Sequence, residues 1–338
     1  MAIQKFRDVN LRQAALDIVS HCNTVIKNYQ QQGLRLTLRQ LYYQCVTVNL
    51  FPNSEKSYKR LSTVVSDARL AGLMDWDAIE DRVRQPRKAS EWDNLADLVE
   101  GALWSYRLPR WEGQDNYVEL WVEKDALAGV LAPIANRWHI TMMVNRGYSS
   151  QSAMYESAQR FLKACYRPVY EADNEEEAAD MPSGSFARYL AEERGLNVVE
   201  PQEDDGENPP LACVRQPVLL YLGDHDPSGE DMVRDIRDRL QMFGIADITV
   251  TKVALTMTQV KKYAPPPNPA KITDPRAKDY IAQHGAVSWE VDALPPNVLT
   301  QVIETSIKQY VDVAKMDAIK LREEEDKKKL RAAVKQLL

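Results

Sequence analysis

The chain has 338 residues, 44% hydrophobic and 27% charged, with a formal net charge of -6. That length fits two ordinary domains, and the composition is that of a folded globular protein with no apolar run approaching a membrane span. A negative chain is at first sight a poor partner for nucleic acid, whose phosphates attract clustered lysine and arginine.

The distribution of charge changes that reading. Residues 171–207 hold 13 acidic and 2 basic side chains, and residues 1–110 hold 16 basic against 12 acidic. The acidity is therefore local and reads as a solvated insertion, and the remainder is net positive. The amino terminus, MAIQKFRDVN, lacks the apolar core of a secretory signal, so a cytoplasmic location and no membrane partner are expected. Cys22, Cys45, Cys165 and Cys213 lack the close spacing of a zinc site or disulfide framework and read as reduced, structural residues.

In chain order, Leu11, Ala15, Ile18, Cys22 and Val25 recur at helical spacing and predict a helix over 10–30. A second helix is expected over 37–46 with Thr37 as its cap, and a third over 54–72, capped by Ser54 and ended by Gly72. LMDWDAIEDRVRQPRK follows, and three helices with a short ribbon are what a winged helix-turn-helix gives. A further helix is expected over 91–106.

Beyond it the pattern changes. YVELWV (117–122), HITMMVN (139–145), QPVLLYLG (216–223) and ADITVTKVAL (246–255) read as strands, each joined to the next by an amphipathic helical stretch. That alternation predicts an α/β domain with a mostly parallel sheet covered on both faces. Residues 166–215 interrupt it and contain one expected helix, at 185–194. APPPNP after Tyr263 is expected to be a rigid extended linker. Residues 297–338 read as mainly helical, and the charged end fits an assembly helix or a solvated tail equally well. The domain boundaries expected are 1–110, 111–310 and a terminal helix over 311–338.

Functional groups in a parallel sheet collect where strands end and helices begin. Glu123 ends one predicted strand, and Asp224 and Asp226 end another; if those strands are neighbours, three acids converge. A lone acid there often only caps a helix. Three together repel one another and are costly to desolvate, so the cluster calls for protons or a cation, and oxygen-only ligands suit magnesium, or else manganese. His225 points away from its aspartate neighbours in extended chain and reads as structural. Lys124 fits either a phosphate contact or a surface lysine.

WVEKDALAGVL followed by YLGDHDPSGEDM resembles the Toprim domain of topoisomerases, primases and related nucleases. VEKDA, DxDPxG and the NRGYSS turn (145–150) are most similar to the A subunit of topoisomerase VI and its meiotic double-strand-break relatives. LTLRQLYYQCV (36–46) resembles the catalytic helix of that family, within a CAP-like winged helix. The chain's compactness is similar to the stand-alone mini-A proteins of the topoisomerase VIII group, found in bacteria and mobile elements.

The resemblance implies that Tyr43 is the nucleophile and Arg39 its partner; four residues apart, they share a helix face. Tyr42, about 100° around the helix, is expected to pack. Glu123, Asp224 and Asp226 are implied to bind magnesium. Lys56, Lys59, Arg60, Arg69 and Lys124 are expected to contact DNA, with Arg82, Arg84, Arg87 and Lys88 on the wing. The implied activity is cleavage, with resealing by the same site, of double-stranded DNA through a 5′-phosphotyrosine link. The implied assembly is a homodimer in which tyrosine from one protomer works with the metal site of the other. No GxxxxGK[ST] loop is present, so ATP dependence would come from a separate ATPase subunit. The rival readings are a Toprim nuclease using water and a non-catalytic DNA-binding protein.

Overall fold

The computed structural model describes residues 3–79, 89–172, 181–182, 185–199 and 209–334. The N-terminal unit is built on α1 (Gln13–Gln30), α2 (Leu38–Thr47) and α3 (Glu55–Leu70). Thr37 and Gln40 form a reciprocal capping box at the start of α2, which satisfies backbone donors that the first turn leaves free. Ser54 caps α3 by accepting from Ser57 N. The inward faces of all three helices meet around Cys22, Leu41, Cys45 and Leu61, each wholly buried. Beyond a short 3-10 turn at Trp76–Ala78, Leu36 bridges to Ile79 in parallel. The wing residues Arg82, Arg84, Arg87 and Lys88 lie outside the described residues.

α4 (Leu95–Ser105) leads to a four-stranded, all-parallel sheet. Its strands are β1 (Asn116–Val122), β2 (Thr141–Val144), β7 (Gln216–Leu222) and β8 (Thr249–Ala254), in the order β2-β1-β7-β8. The central strands alternate their side chains between two cores, as a pleat with period two requires. Val118, Leu120, Val122, Val218, Leu220 and Leu222 face one core, while Trp121, Leu219 and Tyr221 face the other. The first core is covered by α5 (Ala128–Trp138), and the second by α6 (Gln151–Cys165). The mixed α/β class with a parallel sheet is therefore present as expected.

The region 166–215 holds more structure than its composition indicates. β3 (Tyr166–Tyr170), β4 (Phe186–Ala187), β5 (Val198–Val199) and β6 (Leu211–Cys213) form a second four-stranded sheet, ordered β4-β3-β6-β5, beside the short helix α7 (Arg188–Glu193). β4, β5 and β6, of two or three residues each, are too short to show a period.

After β7, α8 (Pro227–Met242) returns on the Trp121 side, and α9 (Met257–Tyr263) follows β8. Residues 264–269 are not only a linker. β9 (Asn268–Pro269) pairs antiparallel with β10 (Val287–Ser288), on either side of α10 (Ala277–His284). α11 (Pro296–Ile307) completes the first core, and α12 (Val313–Val334) is docked through Met316, Ile319, Glu323 and Lys327. Glu323 on α12 is buried and accepts from Leu108 N and Arg110 at 3.1 Å and from Lys327 at 2.8 Å, so this helix is not a solvated tail.

Candidate functional site

The register of the sheet sets the site. β1 and β7 run side by side from Asn116 opposite Gln216 to Val122 opposite Leu222. Glu123 and Asp224 therefore leave the sheet as neighbours, and Glu123 accepts hydrogen bonds from Asp224 N at 3.0 Å and Tyr221 Oη at 3.2 Å. Asp226 caps α8, accepting from Gly229 N at 2.6 Å and Ser228 Oγ at 2.9 Å. The turn is tight: a Cβ on Gly229 would lie 2.2 Å from the Asp224 carbonyl oxygen. Lys252 fastens it from β8, donating to that carbonyl at 2.6 Å and to Glu230 at 2.6 Å.

Two residues outside every sequence motif complete the cluster. Glu290 and Asp292, between β10 and α11, bring carboxylate oxygens within 4.8 Å of one another and of Asp224. Among the described residues this is the three-carboxylate group compact enough to hold an ion; Glu123 and Asp226 flank it. Asp224 Oδ1 also accepts from Val291 N at 2.9 Å, which ties the DHD turn to the EVD turn. The spacing Glu-x-Asp in WEVDAL matches the Asp-x-Asp spacing at 224–226, but no apolar strand precedes it, so the sequence carries little sign of it.

The cations lie among these acids. Lys124 Nζ is 2.8 Å from Asp224 Oδ1 and 3.2 Å from Asp292 Oδ1, and it also pairs with Glu290. Instead of an outward phosphate contact, Lys124 is an internal counter-ion with its side chain 16% exposed. Arg39 pairs with Glu290 and lies 3.2 Å from Asp292 Oδ2, while its Nη2 is 3.5 Å from Tyr43 Oη. Asp292 Oδ2 is buried and makes no aligned hydrogen bond; Arg39 Nε is its ion-pair partner.

Charge in this pocket is unbalanced. Glu123, Asp224, Glu290 and Asp292 stand against Lys124 and Arg39, an excess of two negative charges when all are ionised. Burial pushes the Asp224 carboxyl up to about 7; the Lys124 ammonium opposes that shift, and Glu123, Glu290 and Asp292 add to it. The 2.8 Å ion pair does not reverse the direction, because Lys124 is shared among three acids. Glu290 behaves oppositely. Burial raises its pKa, but Lys124 and Arg39 outweigh burial and bring it down to about 2. The Tyr43 phenol is pushed above its ordinary value by burial, then by Glu290 and Asp292, with Arg39 and Lys124 pulling the other way.

A cleft of about 470 Å³ opens over this arrangement, lined by Arg39 and Tyr43 on one wall and by Asp224, Asp226, Lys271 and Glu290 on the other. Beside it lies a second cleft of about 350 Å³, bordered by Glu123, Lys124, Arg146 and Gly147. Gly147, at φ +89°, occupies the left-handed region that glycine adopts without strain, so the Gly-Tyr turn reaches the site's edge. Tyr42 packs as expected: its hydroxyl accepts from Ser54 N at 2.8 Å and lies 3.0 Å from Ser54 O. His225 is buried and bonds Tyr280 at 2.8 Å, with Nε2 3.7 Å from Glu230.

The remaining basic residues expected at DNA divide in two. Lys56, Lys59 and Arg60 are exposed on α3, Lys59 pairing with Glu55 at 2.7 Å. Arg69 instead lies over the Trp76 ring at 4.5 Å and donates to its carbonyl at 2.5 Å, which makes it a brace for the turn after α3.

No protein-family model matches the chain, and no curated protein matches it.

Proposed function

We propose that the chain cleaves duplex DNA by transesterification, with the N-terminal helices acting as a winged-helix unit and the parallel-sheet region as a Toprim domain. The observation that carries this reading is the cleft in which Tyr43 and Arg39 face the Asp224 carboxylate cluster. Tyr43 Oη would attack a backbone phosphorus, the bond to the 3′ oxygen would break, and that oxygen would leave with a proton as a 3′-hydroxyl. The 5′-phosphate would stay on Tyr43, and reversal would reseal the strand.

Arg39 would contact both the phenol and a phosphate oxygen. Its guanidinium lies 3.5 Å from Tyr43 Oη on a side chain still 46% exposed to the cleft. The phenol must lose its proton to react. Burial and the charges of Glu290 and Asp292 oppose that loss, so neutralising those carboxylates favours it. Lys56, Lys59 and Arg60 on the exposed face of α3 would hold flanking phosphates.

The donor set fits a hard divalent cation such as magnesium or manganese: it is all oxygen, compact, in excess of local positive charge, and includes the unaligned Asp292 Oδ2. Asp224 would hold it with Glu290 and Asp292, or with Glu123 and Asp226. Such an ion, when bound, supplies neutralisation of charge on the reacting phosphate.

The test uses supercoiled plasmid with magnesium or manganese, a detergent quench, and gels run with and without protease. Wild type is expected to leave broken strands carrying protein until digestion, and Tyr43→Phe to leave the plasmid intact. Protein-free breaks that persist in Tyr43→Phe would reassign the site to hydrolysis, and metal-independent binding without breaks would make it a DNA-binding protein.

A further inference from the structure

Two exposed cations flank the strand-end acids. In the strand order β2-β1-β7, Arg146 follows β2, Glu123 follows β1, and Asp224 and Asp226 follow β7. Arg146 N donates to the Glu123 carbonyl at 2.9 Å, and its side chain, 69% exposed, borders the second cleft. Its backbone sits at φ +54°, in the left-handed region. A residue with a side chain is strained there, and strain of this kind collects at functional sites. On the other side, Lys271, 75% exposed, lines the first cleft with Nζ 4.0 Å from Asp226. The Arg146 pair with Asp125 at 3.5 Å and the Lys271 pair with Asp226 are long and reach solvent, so they contribute little and leave both cations able to meet a phosphate.

The loops that carry these cations are fastened to one residue. Asp231, one turn into α8, accepts from Tyr148 Oη at 3.0 Å, and Tyr148 stands two residues beyond Arg146. The same carboxylate pairs with Arg276 Nε at 2.8 Å, and the Arg276 guanidinium lies over the Tyr148 ring at 5.2 Å. Arg276 closes a run of turns that starts at Lys271: Asp274 N donates to Lys271 O at 3.1 Å, and Arg276 N to Asp274 Oδ1 at 2.9 Å. Asp231 thus ties the turn after β2 to the segment after β9.

We infer that Arg146 and Lys271 bind the backbone phosphates on either side of the one that is cut, and that Asp231 is a positioning residue that fixes the spacing between them. This rests on the DNA reading of the cleft, and it holds whichever protomer supplies the tyrosine. A strand laid across the ends of β7, β1 and β2 would enter by the first cleft, pass the carboxylates and leave by the second. Arg39 borders both clefts, so the path is continuous. Asp231 is itself an acid beside a polyanion, and by charge alone it opposes binding. Its contribution is geometric, so removing it should weaken binding where loss of a negative charge would otherwise strengthen it.

Two experiments decide it. The first measures the Kd of the full chain for a short duplex across a salt series, with magnesium and with Tyr43→Phe in every protein. Arg146→Gln and Lys271→Gln should each raise Kd by about fivefold and reduce the slope of log K against log salt by about 0.9. Asp231→Ala should raise Kd by about threefold or more, while Asp238→Ala, which removes another acid paired with Arg234 on α8, should leave it equal or lower. An unchanged Kd and slope in either glutamine variant, or tighter binding by Asp231→Ala, overturns the inference and leaves the DNA reading standing.

The second measures the spacing without DNA. Arg146→Cys and Lys271→Cys are combined with Cys213→Ser, since Cys22, Cys45 and Cys165 are buried, and the spin-labelled full chain is diluted with unlabelled chain. The expected result is one narrow distance distribution that broadens when Asp231→Ala is added. Identical distributions with and without Asp231→Ala overturn the positioning role. A chain that shows the broadening but binds no duplex would remove the DNA reading, and with it the role of the two cations, while the fastening by Asp231 stands.

Discussion

Replacing Lys124 with methionine should destabilise the ion-free protein in a way that depends on pH. The ammonium contacts Asp224, Glu290 and Asp292 from a side chain 16% exposed, and methionine keeps most of the volume while removing the charge. Breaking a buried pair while leaving its acids in place costs about 3–5 kcal/mol. With an unfolding entropy of about 2.1 cal/mol/K per residue, that loss lowers Tm by about 4–7 °C if the chain unfolds in one transition.

The pH dependence follows from Asp224. Its folded pKa is raised to about 7, so its contribution to stability is complete below the ordinary aspartate range and is lost as pH rises through 7. In the variant the acid cluster raises that pKa further, and protonation near pH 5.5 removes one of the stranded charges. The deficit should therefore be largest at pH 8 and shrink by pH 5.5. Thermal and urea unfolding of both proteins in chelator at the two pH values measures this. Magnesium or manganese should then stabilise the variant more than wild type, because no ammonium competes for the oxygens; at one hundred times its Kd an ion contributes about 2.7 kcal/mol. Equal stability of the two proteins at pH 8, or a deficit of the same size at both pH values, would refute the assignment of Lys124 as the site's counter-ion.

Glu290→Gln should show the opposite pH dependence. Its carboxyl is held at about 2, so wild type should exceed the variant by about 1–3 kcal/mol at pH 7, with the gap closing as pH falls through the usual glutamate range toward 2. Urea midpoints across that range provide the check. Gly229→Ala puts a methyl 2.2 Å from a main-chain oxygen that cannot swing aside, and should cost about 1–3 kcal/mol while weakening ion binding through the displaced Asp224 turn. Calorimetric ion titration beside unfolding separates those effects. Arg160→Ala should cost about 3–5 kcal/mol, because Glu119, wholly buried in mid-strand, would lose both 3.0 Å contacts. Arg160→Ala should leave ion binding unchanged, since Glu119 lies in mid-strand, four residues before the strand-end Glu123.

Arg39, Tyr43, Asp224 and Asp226 line one cleft and Glu123 borders the cleft beside it, but sequence reading missed their partners for identifiable reasons. Glu123, Asp224 and Asp226 stand at strand ends that hydrophobic runs mark clearly, and Arg39 and Tyr43 share a helix face by spacing alone. Glu290 and Asp292 follow a two-residue strand in a stretch whose Pro-rich approach reads as linker, so no local pattern announces them. Lys124 and Arg69 illustrate a different gap. A basic residue near a helix start looks alike in sequence whether it meets solvent, phosphate or a buried acid.

The sequence by itself determined the elements: capped helices at Thr37 and Ser54, strands with alternating faces, and the crossover pattern that makes the sheet parallel. These follow from side-chain period and local hydrogen bonding, which act between residues close in the chain. Only the tertiary structure decided that β1 lies beside β7, that the EVD turn closes on Asp224 and that Lys124 turns inward. Those outcomes depend on contacts between residues about 70 to 170 positions apart, where burial of the sheet's two faces and compensation of charge choose among arrangements that local sequence leaves equal.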